Sequence, residues 1–227
     1  MNAAALLVLL STAPALGPGG LPAGWEPLDF PKIEARTAYE WSATSAAVHA
    51  VAVRSASGLI HRREGPVAEA PVLRWRWKIA GTLPKGDERR KSGDDYAARV
   101  YITFKYEPAR VGLATRLKYG AVKALRGEHP PHNAIAYVWA NKLPAGEAAP
   151  SPYTSRVMMV AVRSGDAAAG EWRSEERDVL ADYRRLFGSE PPPYAGIALM
   201  TDADDTGGSA EAWYADVTLS GRSTLLE

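Results

Sequence analysis

The 227-residue sequence contains no cysteine. Without thiols the chain cannot form disulfides, and it cannot use a cysteine nucleophile. Its fold must therefore be stabilised by its hydrophobic core.

The sequence also lacks an excess of either charge and has no long apolar run. Its 27 basic and 26 acidic residues leave no cationic surplus to neutralise a phosphate backbone, which argues against nucleic acid as a partner. The N-terminal apolar run, Ala3 to Leu10, is far shorter than the roughly 20 residues of a transmembrane helix, and no other run is longer. No transmembrane segment is predicted.

The N-terminal residues have the pattern of a secretory signal peptide. The apolar run is followed by small residues and by Ala13-Pro14-Ala15, an A-x-A cleavage site. We expect residues 1–15 to be a signal peptide and the protein to be periplasmic or secreted. A Gly/Pro-rich leader covers residues 16–24, and residues 222–227 form a tail.

Segments of alternating polarity recur along the rest of the chain and are separated by Gly, Pro, Asp and Ser clusters. They lie at residues 48–55, 72–79, 96–106, 134–140, 156–163, 194–201 and 212–219, with weaker ones at 38–42 and 57–62. This pattern predicts a mainly all-β protein, a two-sheet antiparallel jelly-roll-like sandwich in one domain over residues 25–221.

Two short helices are predicted between the strands. For residues 174–188, Ser174 is the predicted N-cap and Gly188 the terminator, and the buried positions are Val179, Tyr183, Leu186 and Phe187.

Residues 109–127 form a cationic amphipathic helix whose buried face should contain Val111, Ala114, Leu117, Ala121 and Leu125. We expect it to pack on a sheet. A weak contact with an anionic membrane surface and closure over a ligand are the alternatives.

The strand at 72–79 should point Trp75 and Trp77 into the core and present the cations Arg74, Arg76 and Lys78 on its other face. Three like charges in a row need partners. Carboxylates of neighbouring strands, with Asp94 and Asp95 as candidates, are favoured over an anionic ligand such as a uronate or phosphate.

The stretch "KSGDDYAARVYITFKYEP", residues 91–108, combines Asp94, Asp95 and Arg99 at the start of a strand. These groups form either an ion pair that locks a sheet edge or the polar part of a binding site. We favour the structural role, because a buried Arg–Asp pair is by itself poor evidence of function.

An acidic turn follows the strand at 194–201. Its hard oxygen ligands suit Ca²⁺. The predicted calcium ligands are Asp202, Asp204, Asp205 and Asp216. A hairpin with Asx turns explains the same residues without a metal, and no other cofactor is predicted.

Signatures of catalysis are mostly missing from the sequence. It has neither a G-x-S-x-G elbow nor H-E-x-x-H, and His129 and His132 lack a nearby third ligand. A pair of carboxylates could cleave a glycosidic bond, with Asp94, Asp95 and Asp202 as the candidate residues. The required separation of the carboxylates cannot be read from the sequence.

Several motifs together resemble a family of exported bacterial proteins known as domain of unknown function 3047. They are "LRWRWKI", "GDDYAARVYITF", "AYVWANK", "SPYTSRVMMVAVRSG", "EWRSEERDVLADYRRLFG" and "IALMTDADDTGGSAEAWYADV". The resemblance covers residues 37 to 219 and implies an all-β sandwich similar to sugar-binding modules or to galactose-binding domains, with no activity to carry over. It implies polar motif positions at Arg74, Arg76, Asp94, Asp95, Arg99, Arg177, Asp178, Asp182, Asp202, Asp204 and Asp216.

We hypothesise an exported module that binds a polar ligand, with a saccharide as the favoured class, through aromatic platforms and charged hydrogen bonds. The expected contacts are Arg74, Arg76, Asp95, Arg99, Tyr101, Trp139, Arg177, Asp182 and Trp213. The alternatives are a glycan hydrolase or lyase, and an envelope scaffold protein that binds other proteins.

Overall fold

The computed structural model describes residues 7–8, 15–126 and 129–222. The predicted signal peptide lies for the most part outside the described residues, as does most of the predicted tail. Of the predicted signal peptide, the backbone of Leu7–Val8 is described, and it forms a short strand that pairs with Thr218 and Leu219.

Thirteen strands and two α-helices are present among the described residues. The strands are β1 (Leu7–Val8), β2 (Trp25–Leu28), β3 (Ala38–Ser42), β4 (Ala47–Val53), β5 (Ala56–Gly65), β6 (Val72–Ile79), β7 (Ala98–Phe104), β8 (Ala134–Ala140), β9 (Ala148–Ser151), β10 (Thr154–Ser164), β11 (Arg173–Asp178), β12 (Tyr194–Asp202) and β13 (Ser209–Ser220). The helices are α1 (Leu113–Arg126) and α2 (Val179–Phe187).

The strands form two sheets that pack face to face, which confirms the predicted sandwich. The six-stranded sheet has the order β11-β6-β13-β4-β3, with β1 added on β13, and the seven-stranded sheet has the order β2-β5-β12-β7-β8-β10-β9. Neighbouring strands are antiparallel except β8 and β10, which run parallel. This parallel pair could not be predicted from the sequence, because strand direction depends on the path of the connection.

The main core lies between the sheets and is rich in aromatic side chains. Trp75 and Trp77 of β6 meet Tyr137 and Trp139 of β8, with ring centroids 5.5 and 5.7 Å apart. Alternation along β6 and β8 directs these rings to the same layer. The inward direction predicted for Trp75 and Trp77 is therefore confirmed.

A second apolar cluster covers part of the outer face of the seven-stranded sheet. Its members are Tyr96, Ala136, Val138, Ala140, Leu143, Met159 and Ala161. The β8 members alternate with Tyr137 and Trp139, so they point away from the main core. The cluster covers the half of the sheet formed by β8 and β10 and leaves the half formed by β2, β5, β12 and β7 for other contacts.

The predicted helix at 174–188 begins later than expected. Residues Arg173–Asp178 instead form β11, which pairs antiparallel with β6, and the N-cap is Asp178, whose carboxylate accepts the N–H of Ala181 at 2.9 Å. The hydrogen bonds to β6 outweigh the local capping signal at Ser174. The end of the helix is as predicted, because Gly188 adopts the left-handed conformation with φ 65°.

The helix predicted at 109–127 is present as α1, but its predicted buried face is wrong. Leu117 is 68% exposed, and the buried residue of this helix is Tyr119. The side chain of Leu125 and the residue Gly127 lie outside the described residues. None of the helices in the described parts of the chain is long and apolar enough to span a membrane.

The core position of Trp139 generates a stability prediction. Trp139 is 0% exposed and its indole N–H donates to the carbonyl of Gly165 at 3.0 Å, whereas Trp213 lies half-buried on the outer face of the six-stranded sheet. Trp139→Ala should lower the free energy of unfolding by about 3–5 kcal/mol, because it leaves a large cavity. The matched control Trp213→Ala should cost clearly less. Urea denaturation measures both, and equal losses would contradict this packing.

Candidate functional site

An acidic corner forms where β7 begins and β12 ends. Asp94 and Asp95 precede β7, and Asp202 is the last residue of β12. Because the two strands are antiparallel neighbours, with Met200 opposite Arg99, these carboxylates gather around the Arg99 side chain. Asp204 and Asp205 follow in the turn after β12.

Arg99 is the cation of this corner and is only 3% exposed. Its guanidinium donates to Asp202, lies 3.9 Å from Asp94, and has its carbon 4.5 Å from the ring centroid of Tyr96. Burial by itself lowers the pKa of Arg99, but the carboxylates of Asp202 and Asp94 raise it well above its ordinary value. The guanidinium is therefore a permanent buried charge, and Asp202 is the carboxylate to which it donates.

Asp95 connects the corner to the turn after β12. Its side chain is fully buried, and its two oxygens accept the backbone N–H groups of Asp205 at 3.2 Å and Thr206 at 2.6 Å. Its own carbonyl accepts the side-chain amide of Asn141 at 2.8 Å. Asp95 therefore holds loops together, as a structural role predicts, but it does so at the ends of two interior strands and not at an edge strand of the sheet.

Burial raises the pKa of the Asp94 carboxyl to about 6, although Arg99 acts in the opposite direction. Burial also raises the pKa values of Asp204 and Asp205, and the nearby carboxylate of Asp95 adds to both shifts. The corner therefore holds more carboxylates than its single cation can stabilise.

The candidate catalytic carboxylates do not lie on an open surface. Asp94, Asp95 and Asp202 are all buried, and the carboxylates of Asp95 and Asp202 are already hydrogen bonded. Glycosidic cleavage requires two carboxylates on either side of a bound sugar. This geometry gives no support to catalysis by these three residues.

The structure separates the predicted calcium ligands. Asp216 lies in a bulge of β13 and pairs with Arg76 on the six-stranded sheet. The carboxylate oxygens that do lie within 4.8 Å of one another belong to Asp95, Asp202 and Asp204. Both oxygens of Asp95 and of Asp202 already accept N–H groups. Calcium at this corner stays a prediction, with Asp95, Asp202 and Asp204 as the clustered carboxylates and without the predicted Asp205 and Asp216.

The cations on the outer face of β6 have partners within the chain. Arg74 contacts Glu176 of β11 at 2.6 Å, and Arg76 contacts Asp216 of β13 at 2.5 Å. The ammonium of Lys78 lies 3.9 Å from the ring centroid of Trp213. Intramolecular pairing is confirmed, but the predicted partners Asp94 and Asp95 are wrong, because they belong to the other sheet.

Three further predicted ligand contacts are engaged elsewhere. Trp139 lies in the core, so its ring cannot serve as a surface platform. Arg177 donates to Asp182 at 2.6 Å, and Asp182 also accepts the hydroxyl of Tyr137 at 3.0 Å. This network fixes α2 against β8, and it gives no support to a ligand site at Arg177 and Asp182.

A pocket that was not predicted from the sequence lies on the uncovered outer face of the seven-stranded sheet. Its volume is about 560 Å³, within the range of small-molecule sites. The floor and walls are Leu28, Phe30, Ile60, Tyr101, Thr103, Ala195, Ala198 and Met200, and the rim includes Arg62, Glu64, Lys105, Tyr106, His129, Pro130 and Pro131.

Tyr101 is the one predicted contact that lines this pocket. Alternation along β7 places Tyr101 and Thr103 on the outer face, opposite Val100 and Ile102 of the core, and Lys105 follows directly after the strand. The same alternation was visible in the sequence. What the sequence could not show was that β12 lies between β5 and β7, so that the three strands together form the pocket.

The raised pKa of Asp94 predicts how stability depends on pH. Between about pH 4 and pH 6 the folded protein retains a proton on Asp94 that the unfolded chain has lost, so stability falls as pH rises through this window. Asp94→Asn keeps the side chain neutral. The variant should lose the decrease in the free energy of unfolding that Asp94 causes between about pH 4 and pH 6. At neutral pH its free energy of unfolding should therefore be higher than that of the wild type by up to about 3 kcal/mol.

Urea denaturation over the pH range measures this effect. The matched control is Asp216→Asn, on the other sheet. Its free energy of unfolding should decrease between about pH 4 and pH 6 as that of the wild type does. Lower stability of Asp94→Asn at neutral pH would show instead that the ionised carboxylate stabilises Arg99.

Comparison with solved structures finds distant likenesses. Among solved structures, the chain is similar to the family 11 carbohydrate-binding module of a cellulosomal cellulase of Clostridium thermocellum, at 12% identity and a TM-score of 0.47, covering 96% of this chain and 95% of the other. A family 29 carbohydrate-binding module complexed with mannohexaose has 13% identity and a TM-score of 0.40, covering 96% and 93%. These likenesses are too distant to identify a ligand.

No curated protein matches the sequence. A family described as a protein of unknown function, DUF3047, matches residues 23–218, which is most of the chain and agrees with the resemblance seen in its motifs. The protein therefore belongs to the DUF3047 family.

Proposed function

We propose that this is an exported, non-catalytic module that binds a saccharide in the pocket on the outer face of the seven-stranded sheet. The observation that carries the proposal is the combination of half-exposed aromatic rings with charged groups around one 560 Å³ pocket. Sugars present both apolar C–H faces and hydroxyls, so their sites combine these two kinds of side chain.

The inner part of the pocket supplies an apolar surface for a sugar ring. Phe30 and Tyr101 line it together with Ile60 and Met200, and each of these side chains is half-buried and so retains accessible area. A saccharide lying on these groups would remove apolar area from water on both partners.

The rim supplies polar groups that can bind hydroxyls. Arg62 and Lys105 are exposed donors, and Glu64 is an exposed acceptor. Arg62 contacts Glu26 at 2.6 Å and Lys105 contacts Glu64 at 2.7 Å. Ion pairs on a surface contribute little stability, so these groups can exchange partners with a ligand at small cost.

The outer face of the six-stranded sheet is the weaker candidate for a ligand site. It has a groove of about 400 Å³ lined by Arg74, Arg76, Glu176 and Asp216. These charges already pair with one another, so a ligand would have to break contacts of 2.5 and 2.6 Å.

Binding to a panel of neutral and acidic glycans tests the proposal. Isothermal titration calorimetry suits soluble oligosaccharides, and affinity electrophoresis suits polysaccharides. For any glycan that binds, Tyr101→Ala should weaken binding about tenfold, because it removes an aromatic platform. Ala195→Trp should also weaken binding by filling the pocket.

Trp213→Ala is the matched control, since it truncates an aromatic ring on the other sheet and should leave affinity unchanged. Thermal melts of each variant separate loss of binding from loss of fold. The proposal fails if no glycan binds, or if the pocket binds only an apolar probe such as decanoate. It also fails if Trp213→Ala loses binding while Tyr101→Ala retains it.

A further inference from the structure

Helix α1 presents an apolar strip to solvent. Leu113 and Leu117 are 70% and 68% exposed, and Ala121 and Ala124 on the same helix are also exposed. Their spacings of four, eight and eleven residues from Leu113 place all four on one face. Large apolar side chains that are exposed side by side indicate an interaction surface.

The opposite side of α1 anchors the helix to the domain. Tyr119 is buried, its hydroxyl donates to the carbonyl of Pro131 at 3.3 Å, and its ring lies 4.9 Å from that of Tyr106. The guanidinium of Arg156 lies 5.4 Å from the same ring. Because Tyr119 is held in this way, the strip is directed outward by the packing of the fold.

Cations flank the strip on both sides. At 100° per residue, Arg116 and Lys123 lie along one border of the Leu113–Leu117 strip and Lys118 lies along the other. All three side chains are exposed, and the sequence has no acidic residue from Pro108 to Arg126. A partner for this surface needs an apolar layer bordered by negative charge.

We propose that α1 docks the protein onto an anionic lipid bilayer. Leu113 and Leu117 enter the boundary between headgroups and acyl chains, while Arg116, Lys118 and Lys123 extend to the lipid phosphates. A second copy of the chain fits less well, because a two-fold contact through this face would bring the same cations together.

Docking through α1 would bring one end of the pocket close to the membrane. Tyr106, which packs on Tyr119, lines the pocket, and so do His129 and Pro130. The inference goes beyond the proposed saccharide binding, because membrane contact requires no ligand in the pocket.

Co-sedimentation with vesicles tests the inference on the purified chain. Vesicles of phosphatidylcholine with about 30 mol % phosphatidylglycerol should bind the protein, and vesicles of phosphatidylcholine alone should bind it much less. Raising the salt from about 0.05 to about 0.5 M should weaken binding severalfold, because salt screens the cations.

Leu117→Asp should weaken binding to the anionic vesicles by about tenfold or more, since it removes apolar area and adds a like charge to the membrane surface. Val53→Asp is the matched control. Val53 is 59% exposed on β4 of the six-stranded sheet, away from α1, and the substitution also replaces an exposed apolar side chain by a carboxylate. The N-terminal apolar run is the same in every protein, so its contribution cancels in the comparison.

The inference is overturned if Leu117→Asp binds as wild type does, or if binding does not depend on phosphatidylglycerol. Sedimentation velocity tests the alternative that the strip binds a second copy of the chain, because it shows whether the protein is a monomer or a dimer. A dimer that Leu117→Asp dissociates, in a protein that does not bind vesicles, would assign the strip to self-association. Because the readout involves no glycan, failure here leaves the proposed saccharide binding untouched, and failure of saccharide binding leaves membrane docking untouched.

Discussion

The buried guanidinium of Arg99, placed between the carboxylates of Asp202 and Asp94, joins the start of β7 to the end of β12. Its hydrogen-bonded partner is Asp202, and loss of one partner of such a buried pair costs about 3–5 kcal/mol. The pair fits the register in which Arg99 lies opposite Met200. Tyr101 and Ala198, which are directly opposite each other on these strands, line the pocket, so its shape depends on the same register.

The two outer faces of the sandwich are used differently. On the six-stranded sheet, cations and carboxylates pair across strands and form a charged, largely self-satisfied surface. On the seven-stranded sheet, one half is covered by the second apolar cluster and the other half remains open as the pocket. The acidic corner lies at the end of this sheet, and its buried carboxylates hold the adjoining loops. Structural and binding roles are thus assigned to neighbouring but different groups of residues.

The sequence predicted well those features that depend on local geometry. Alternation in β6 placed Trp75 and Trp77 inward and the cations outward, because side-chain direction in a strand follows from the backbone alone. The partners of those cations were wrong, because Glu176 and Asp216 reach β6 only through the strand order of the sheet. Trp139 was wrongly predicted to be a surface contact. Both faces of β8 are apolar, so alternation does not show which of its side chains point into the core between the sheets.

The two helices also show that a local sequence pattern does not reveal which distant residues a segment contacts. At Ser174 a local capping signal competed with pairing of the chain to β6, and the non-local hydrogen bonds prevailed. In α1 the amphipathic pattern correctly indicated a helix, but an apolar stripe does not reveal whether its partner is the same chain or something outside it. Tyr119, and not the leucines, anchors α1 to the domain.

The central claim, that the acidic corner holds the sheet together while the pocket binds the ligand, is tested most directly by a double-mutant cycle between Arg99 and Asp202. Arg99→Met and Asp202→Leu should each lower the free energy of unfolding by about 3–5 kcal/mol, and the double variant should recover at least about 2 kcal/mol of their summed loss. The single variants that remain folded should keep the affinity of the pocket. Independent and small stability losses, accompanied by complete loss of binding, would contradict the account and make the corner itself the binding site.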